Sequence, residues 1–149
     1  MKPEVLQQLA TEFGSPLYVY DAEKIAFQYN RLQNAFSKVE RFKVHYAVKA
    51  LSNVSVLKYL KSLGSGLDTV SLQEVQLGLH AGVEPKDIIY TPNGVSMEEI
   101  EEVAQLGVQI NIDNLSKLEQ FGTKHPNVPV CIRINPHVMA GGNANISVG

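Results

Sequence analysis

His45-Tyr46-Ala47-Val48-Lys49-Ala50 reads as a short strand that delivers a lysine at its C-terminal end. Alternation puts Val44, Tyr46 and Val48 on one face and His45, Ala47 and Lys49 on the other. Desolvation disfavours the ammonium form of a lysine, and the same effect makes the amine a nucleophile able to condense with an aldehyde. Taken alone, such a residue reads as a solvated lysine at a strand end. The chain around it reverses that reading.

From residue 42 onward one unit repeats. Apolar strand candidates occur near 43–48, 67–70, 87–90, 108–112 and 128–134. Their centres lie roughly 20 to 23 residues apart, the length of one strand, one helix and two short loops. Helical patterns fill the gaps. Ser71 with Glu74, Ser96 with Glu99 and Ser116 with Glu119 all fit the capping box, in which serine and glutamate satisfy orphan amides reciprocally. Gly64, Gly82, Gly107 and Gly122 are the expected helix ends. Alternating strands and helices imply an α/β fold with a parallel sheet and right-handed crossovers. The pattern alone fits both an open doubly wound sheet and a β/α barrel.

The flanks differ. Pro3 to Phe13 and Asp21 to Phe36 read as helices, with Asp21 as N-cap of the second. Between them Pro16-Leu17-Tyr18-Val19-Tyr20 is a strand outside the repeat, expected to pair with a sheet this chain does not contain. At the far end, Met139 to Gly149 is polar and glycine-rich. A closed β/α barrel takes about 250 residues and eight strands, so five units leave an open edge. The expectation is the N-terminal part of a TIM-like barrel in a larger protein, with the chain alone neither closing a barrel nor turning over a substrate. Residues 1–38 form the N-terminal segment, whose strand 17–20 would join a C-terminal β-domain, and 39–149 form the partial barrel.

Composition excludes several classes. A net charge of −2 with dispersed basic residues leaves no nucleic-acid footprint. No apolar run approaches the ~18 residues of a membrane span. Cys131 is the single cysteine, which excludes an intrachain disulfide and fits a reducing compartment, with cytoplasm the expected location. It sits in an apolar stretch and reads as a small core residue.

In parallel β/α folds the active site lies at the C-terminal ends of the strands. Those ends carry Lys49, Asp68, Asn93, Asp113 and Arg133. Bringing two cations near two carboxylates is electrostatically coherent where isolated charges would not be. The four histidines lack ligand spacing, and neither HExxH nor CxxC occurs, so no metal site is expected. Gly141-Gly142 lacks the strand–loop–helix context of a phosphate loop, and Ser71 has no base partner that would make it a nucleophile.

These residues, in order, carry a resemblance. Gly14-Ser-Pro-Leu-Tyr-Val-Tyr-Asp21, Tyr46-Ala-Val-Lys-Ala50, Gly66-Leu-Asp-Thr-Val-Ser71 with Glu74, Thr91-Pro-Asn-Gly94, Asn111-Ile-Asp113 and Ile132-Arg-Ile-Asn-Pro136 cover nearly the whole chain. The set resembles the N-terminal part of the diaminopimelate decarboxylases, pyridoxal-phosphate-dependent enzymes with the alanine-racemase-like barrel of fold type III. The resemblance implies that Lys49 carries pyridoxal 5'-phosphate covalently, that Asp68 and Glu74 shape the cofactor pocket, and that Arg133 lies near the cofactor ring. It further implies decarboxylation of meso-diaminopimelate to L-lysine, the last step of lysine biosynthesis, by a homodimer in the full-length protein. Asn143-Ala-Asn145 departs from the His-Pro-Tyr type of sequence that relatives often carry there.

The readings that stay open are another decarboxylase of this fold, acting on ornithine, arginine or carboxynorspermidine, and a non-catalytic pyridoxal-phosphate-binding barrel. Alanine racemase shares the barrel, but the Pro16–Asp21 segment and the strand bearing Arg133 favour the decarboxylases. The strand at 17–20 argues against a lone barrel, which would not need it.

Overall fold

The computed structural model describes residues 1–135. The chain divides into two compact units, Met1–Phe42 and Lys43–Gly149. Gly141-Gly142 and Asn143-Ala-Asn145 lie outside the described residues.

The first unit holds two helices, α1 (Pro3–Phe13) and α2 (Ala22–Ala35). Asp21 caps α2 as expected: its Oδ1 accepts from the Lys24 amide at 3.1 Å. Residues 17–20 carry no strand assignment, since a strand exists only with a ladder partner and the described residues supply none. Phe36 and Phe42 stack with ring centroids 4.6 Å apart.

The second unit alternates β1 (His45–Ala47), α3 (Val54–Ser62), β2 (Gly66–Thr69), α4 (Leu72–His80), β3 (Ile88–Tyr90), α5 (Met97–Gln105), β4 (Gln109–Ile112), α6 (Leu115–Lys124) and β5 (Val130–Ile132). All strand pairs are parallel, and the order β1-β2-β3-β4-β5 follows the sequence. This is the first part of a barrel wall, five strands and not closed. A doubly wound sheet would reverse its strand order partway, and this one does not.

The period-2 pattern decides what is buried. Leu67, Ile88, Tyr90, Ile110 and Ile112 turn to the helices and are buried, joined there by Leu57, Val75, Ile100, Val103 and Phe121. Full burial of each such side chain contributes about 1.5–3 kcal/mol, so this layer holds the unit together. Asp68, Ile89 and Asn111 occupy the intervening positions and remain partly exposed on the opposite face.

Most of the expected punctuation is present. Helix α3 ends with Gly64 at φ 97° and α4 with Gly82 at φ 85°, a conformation that costs other residues more than glycine. Around Gly82 the Val83 amide donates to Gly78 O at 3.1 Å and the Gly82 amide to Leu79 O at 2.9 Å, the paired bonds of a Schellman motif. Two expectations fail. Gly122 lies inside α6 and closes nothing. Ser116 is not the cap of α6: Asn114, two residues earlier, accepts from the Lys117 amide at 3.1 Å. Asparagine is as good an N-cap as serine, and capping from Asn114 draws Leu115 and Ser116 into the first turn. No helix among the described residues is long and apolar enough to cross a membrane.

Candidate active site

Strand β1 ends at Ala47, and Val48–Ala50 forms a single 3-10 turn closed by the Leu51 amide on Val48 O at 3.0 Å. Val48 is wholly buried and pins the turn from below. Asn53 then caps α3, accepting from the amides of Ser55 and Val56. Strand alternation therefore stops two residues short of Lys49, which the turn, not the pleat, places at the rim. Lys49 is exposed and has no hydrogen-bond or ion-pair partner among the described residues. The expectation of a desolvated lysine does not hold for them.

Asp68 lies within β2, beside Ala47 in the register of β1 and β2. Its Oδ1 accepts from the Thr91 hydroxyl at 3.1 Å, and that hydroxyl accepts from Asn111 Nδ2 at 2.9 Å. The three side chains cross β2, the end of β3 and β4 as one polar line on the face away from the helices. Thr91 and Asn111 stand in the motifs quoted above but carry no role there. The legible signal was their phase, since each falls at an alternate position from the buried strand residues.

Glu74 sits in the first turn of α4, where Ser71 Oγ accepts from its amide at 3.3 Å. Its carboxylate accepts from the Val70 amide at 2.8 Å, one residue before the position that a capping box prescribes. Glu74 thus fixes the turn that follows Asp68 and Thr69. Glu99 departs further from its box. Its Oε1 accepts from the Leu72 amide at 3.0 Å and from the Tyr90 hydroxyl at 2.7 Å. It ties the start of α4 to β3, a role the serine–glutamate spacing concealed.

Arg133 follows β5 and is exposed, and its amide donates to Ile112 O at 2.9 Å. Asn93 and Asp113 are exposed past the ends of β3 and β4. The structure therefore brings Lys49, Asp68, Asn93, Asp113 and Arg133 to one end of the sheet, and joins only Asp68 to a hydrogen-bonded network. Cys131 is exposed, not buried, because β5 has only β4 as a neighbour among the described strands. At the other end His45 lies against Gly66. Burial first, and the Lys43 ammonium second, hold the His45 imidazole below its ordinary pKa.

A primary amine without an ion-pair partner among the described residues, at the sheet end that also carries a line of hydrogen-bonding side chains on a partly exposed face, fits an aldehyde-bearing cofactor with polar ring substituents. An amine locked in a salt bridge would not.

Comparison with known proteins agrees with that fit. Residues 22–149 match the family of the pyridoxal-dependent decarboxylases, pyridoxal binding domain. A diaminopimelate decarboxylase of Methanothermobacter thermautotrophicus is 40% identical over 144 residues, which cover 95% of this chain and 34% of the relative. The structure of a diaminopimelate decarboxylase from M. jannaschii in complex with L-lysine superposes with a TM-score of 0.79 at 33% identity, covering 88% of this chain and 32% of that one. A lysine/ornithine decarboxylase from Vibrio vulnificus, complexed with putrescine, gives a TM-score of 0.78 at 28% identity over 88% of this chain and 36% of that one. The chain thus spans about a third of the length of these relatives. It belongs to the pyridoxal-dependent decarboxylases, through their pyridoxal-binding domain, and the family's cofactor is pyridoxal 5'-phosphate.

Proposed function

We propose that, from this membership, the chain provides the lysine-bearing side of a decarboxylase active site that converts meso-diaminopimelate to L-lysine. The observation that carries the reading is the placement of Lys49: an exposed amine, without a partner among the described residues, two positions past Ala47, which is the register partner of Asp68. Pyridoxal phosphate, when bound, supplies an aldehyde that binds amines and a ring that withdraws electrons from the substrate carbon.

The residues of this chain do the rest by binding and orientation. Lys49 is the residue that would hold the cofactor, through Nζ, and its amine can carry a proton at that atom. Asp68 offers a carboxylate whose direction its neighbours set. Glu74 acts through the backbone, holding the Val70 amide and so the turn behind Asp68. Arg133 brings a permanent positive charge to the same rim.

Support for this substrate comes from the relatives, several of which are named diaminopimelate decarboxylases at 32–40% identity. The likeness to the Vibrio enzyme supports a second reading, a decarboxylase of ornithine or lysine. Borohydride reduction of the protein with pyridoxal phosphate, followed by peptide mass mapping, tests the shared core. A phosphopyridoxyl group on Lys49 is expected, and its absence there would remove the catalytic assignment. Product analysis with meso-diaminopimelate and with ornithine then separates the two substrates.

A further inference from the structure

We infer that Thr91 is a positioning residue that fixes the Asp68 carboxylate, with Asn111 setting the direction of its proton. The inference rests on the reading of Asp68 as a wall of the cofactor site and goes beyond it to residues outside that reading.

With Asp68 as a carboxylate, the contacts allow one proton arrangement. A threonine hydroxyl has a single proton and two acceptor sites. Asn111 Nδ2 donates to it at 2.9 Å, which occupies an acceptor site, so the proton is left for Asp68 Oδ1 at 3.1 Å. Turning the Asn111 amide over would place a second acceptor against the hydroxyl, and one proton would then face two acceptors. The line therefore runs from amide donor to hydroxyl to carboxylate.

The backbone makes the arrangement rigid. The Thr91 amide donates to Thr69 O at 2.8 Å, which extends the β2–β3 ladder beyond Tyr90. Thr91 is β-branched and restricted at χ1, so a fixed backbone narrows the positions of the hydroxyl, and its bonds to Asp68 and Asn111 select one of them. Asp68 stands on β2 in register with Ile89 of β3, and Asn111 stands on β4 in register with Cys131 of β5, so each is held by a ladder of its own. Asp68 Oδ2 makes no hydrogen bond among the described residues and is left to serve a donor or cationic group of the ligand. Thr91 touches neither that ligand nor Lys49 in this scheme; it acts through Asp68.

Three variants of the full-length protein separate this from a packing role. Thr91→Val keeps the shape and removes the hydroxyl. Thr91→Ser keeps the hydroxyl. Asn111→Asp replaces the donor by an acceptor that competes for the Thr91 proton. Equilibrium dialysis with pyridoxal phosphate and visible circular dichroism of the bound cofactor report the site without reference to turnover. Thr91→Val and Asn111→Asp are each expected to weaken cofactor binding about tenfold and change the dichroic signal, the size expected for one lost hydrogen bond to a charged group. Thr91→Ser should restore both. Equal losses in the valine and serine variants, or a Thr91→Val protein that binds as wild type, would overturn the inference while leaving the cofactor assignment intact. Wild-type protein that binds no pyridoxal phosphate would overturn both. Should the valine variant fail to fold, the comparison of Asn111→Asp with wild type decides in the same way.

Discussion

The Tyr90 hydroxyl donates to Glu99 Oε1 at 2.7 Å, linking a wholly buried phenol on β3 to a carboxylate on the first turn of α5. The same oxygen accepts from the Leu72 amide, so one carboxylate ties three elements together beneath the rim that carries Asp68. A buried phenol needs such a partner, because an unsatisfied hydroxyl in an apolar layer is costly. Here the partner also anchors the start of α4, and with it the loop that Glu74 holds from the other side.

Removing the phenolic oxygen should expose this dependence. Tyr90→Phe keeps the ring and loses a hydrogen bond to a charged group, with an expected destabilisation of about 1.5–3 kcal/mol. Urea denaturation monitored by circular dichroism measures it. A change within a few tenths of a kcal/mol would mean that the bond adds nothing beyond what water gives the unfolded chain.

The same pair predicts an alkaline limb. Burial, reinforced by the hydrogen bond and the charge of Glu99, raises the Tyr90 pKa far above its ordinary value of 10.0. The unfolded phenol then loses its proton first, so stability is full below pH 10 and declines as pH rises further. The slope contributed by this group is about 1.4 kcal/mol per pH unit above that point. Tyr90→Phe should lack this share of the decline. Parallel curves for the two proteins between neutral and strongly alkaline pH would contradict the assignment.

His45 predicts a limb of opposite sign in acid. Burial keeps its imidazole below the ordinary value of 6.5, so the unfolded chain takes up a proton that the folded one resists. Stability contributed by this group is complete above pH 6.5 and is lost as pH falls below it. Replacing His45 by Gln should flatten the melting temperature between pH 7.5 and about pH 5.5 relative to wild type. A wild-type curve already flat there would show that the imidazole titrates as freely in the folded protein as outside it.

Helix α6 offers a test of which residue caps it. Asn114→Ala should cost about 1 kcal/mol, whereas Ser116→Ala should have almost no effect. Thermal melts of the two variants suffice, and the reverse order would restore the capping box read from Ser116 and Glu119.

The reason that box misled is also the limit of what the chain disclosed. Period and punctuation are local, and they carried far: five strands, the helices between them, the caps at Asp21, Ser71 and Ser96, and the rim positions of Lys49 and Arg133 were all legible. The reach of a side chain across strands is not local. Glu99 satisfies the spacing of a box with Ser96, yet its carboxylate goes to Leu72, twenty-seven residues away. Thr91 joins Asp68 across twenty-three residues and Asn111 across twenty, and no motif spacing encodes such a pairing. Lys49 lay between these cases. Its place at the rim was readable, but its phase was not, because Val48 sinks into the core and converts the end of the strand into a turn.

Three glycines with different surroundings give the last prediction, because the same substitution should have three different outcomes. A Cβ on Gly66 would lie 2.5 Å from Asp87 O and 2.5 Å from His45 Cδ2. A backbone carbonyl cannot swing aside, so Gly66→Ala should cost at least the 1–3 kcal/mol typical of overpacking. On Gly78 the added atom meets Leu67 Cδ1 at 2.7 Å and Ile88 Cδ1 at 3.2 Å, both ends of side chains that can shift. Its cost should be smaller, and part of it is offset by the better helix propensity of alanine. Gly122 has nothing within 4 Å and lies inside α6, where alanine should stabilise by up to about 1 kcal/mol. Urea midpoints should therefore rank Gly122→Ala above wild type, Gly78→Ala below it and Gly66→Ala lowest. A Gly122→Ala protein less stable than wild type would mean that this position does end the helix, as its spacing from the other glycines first implied.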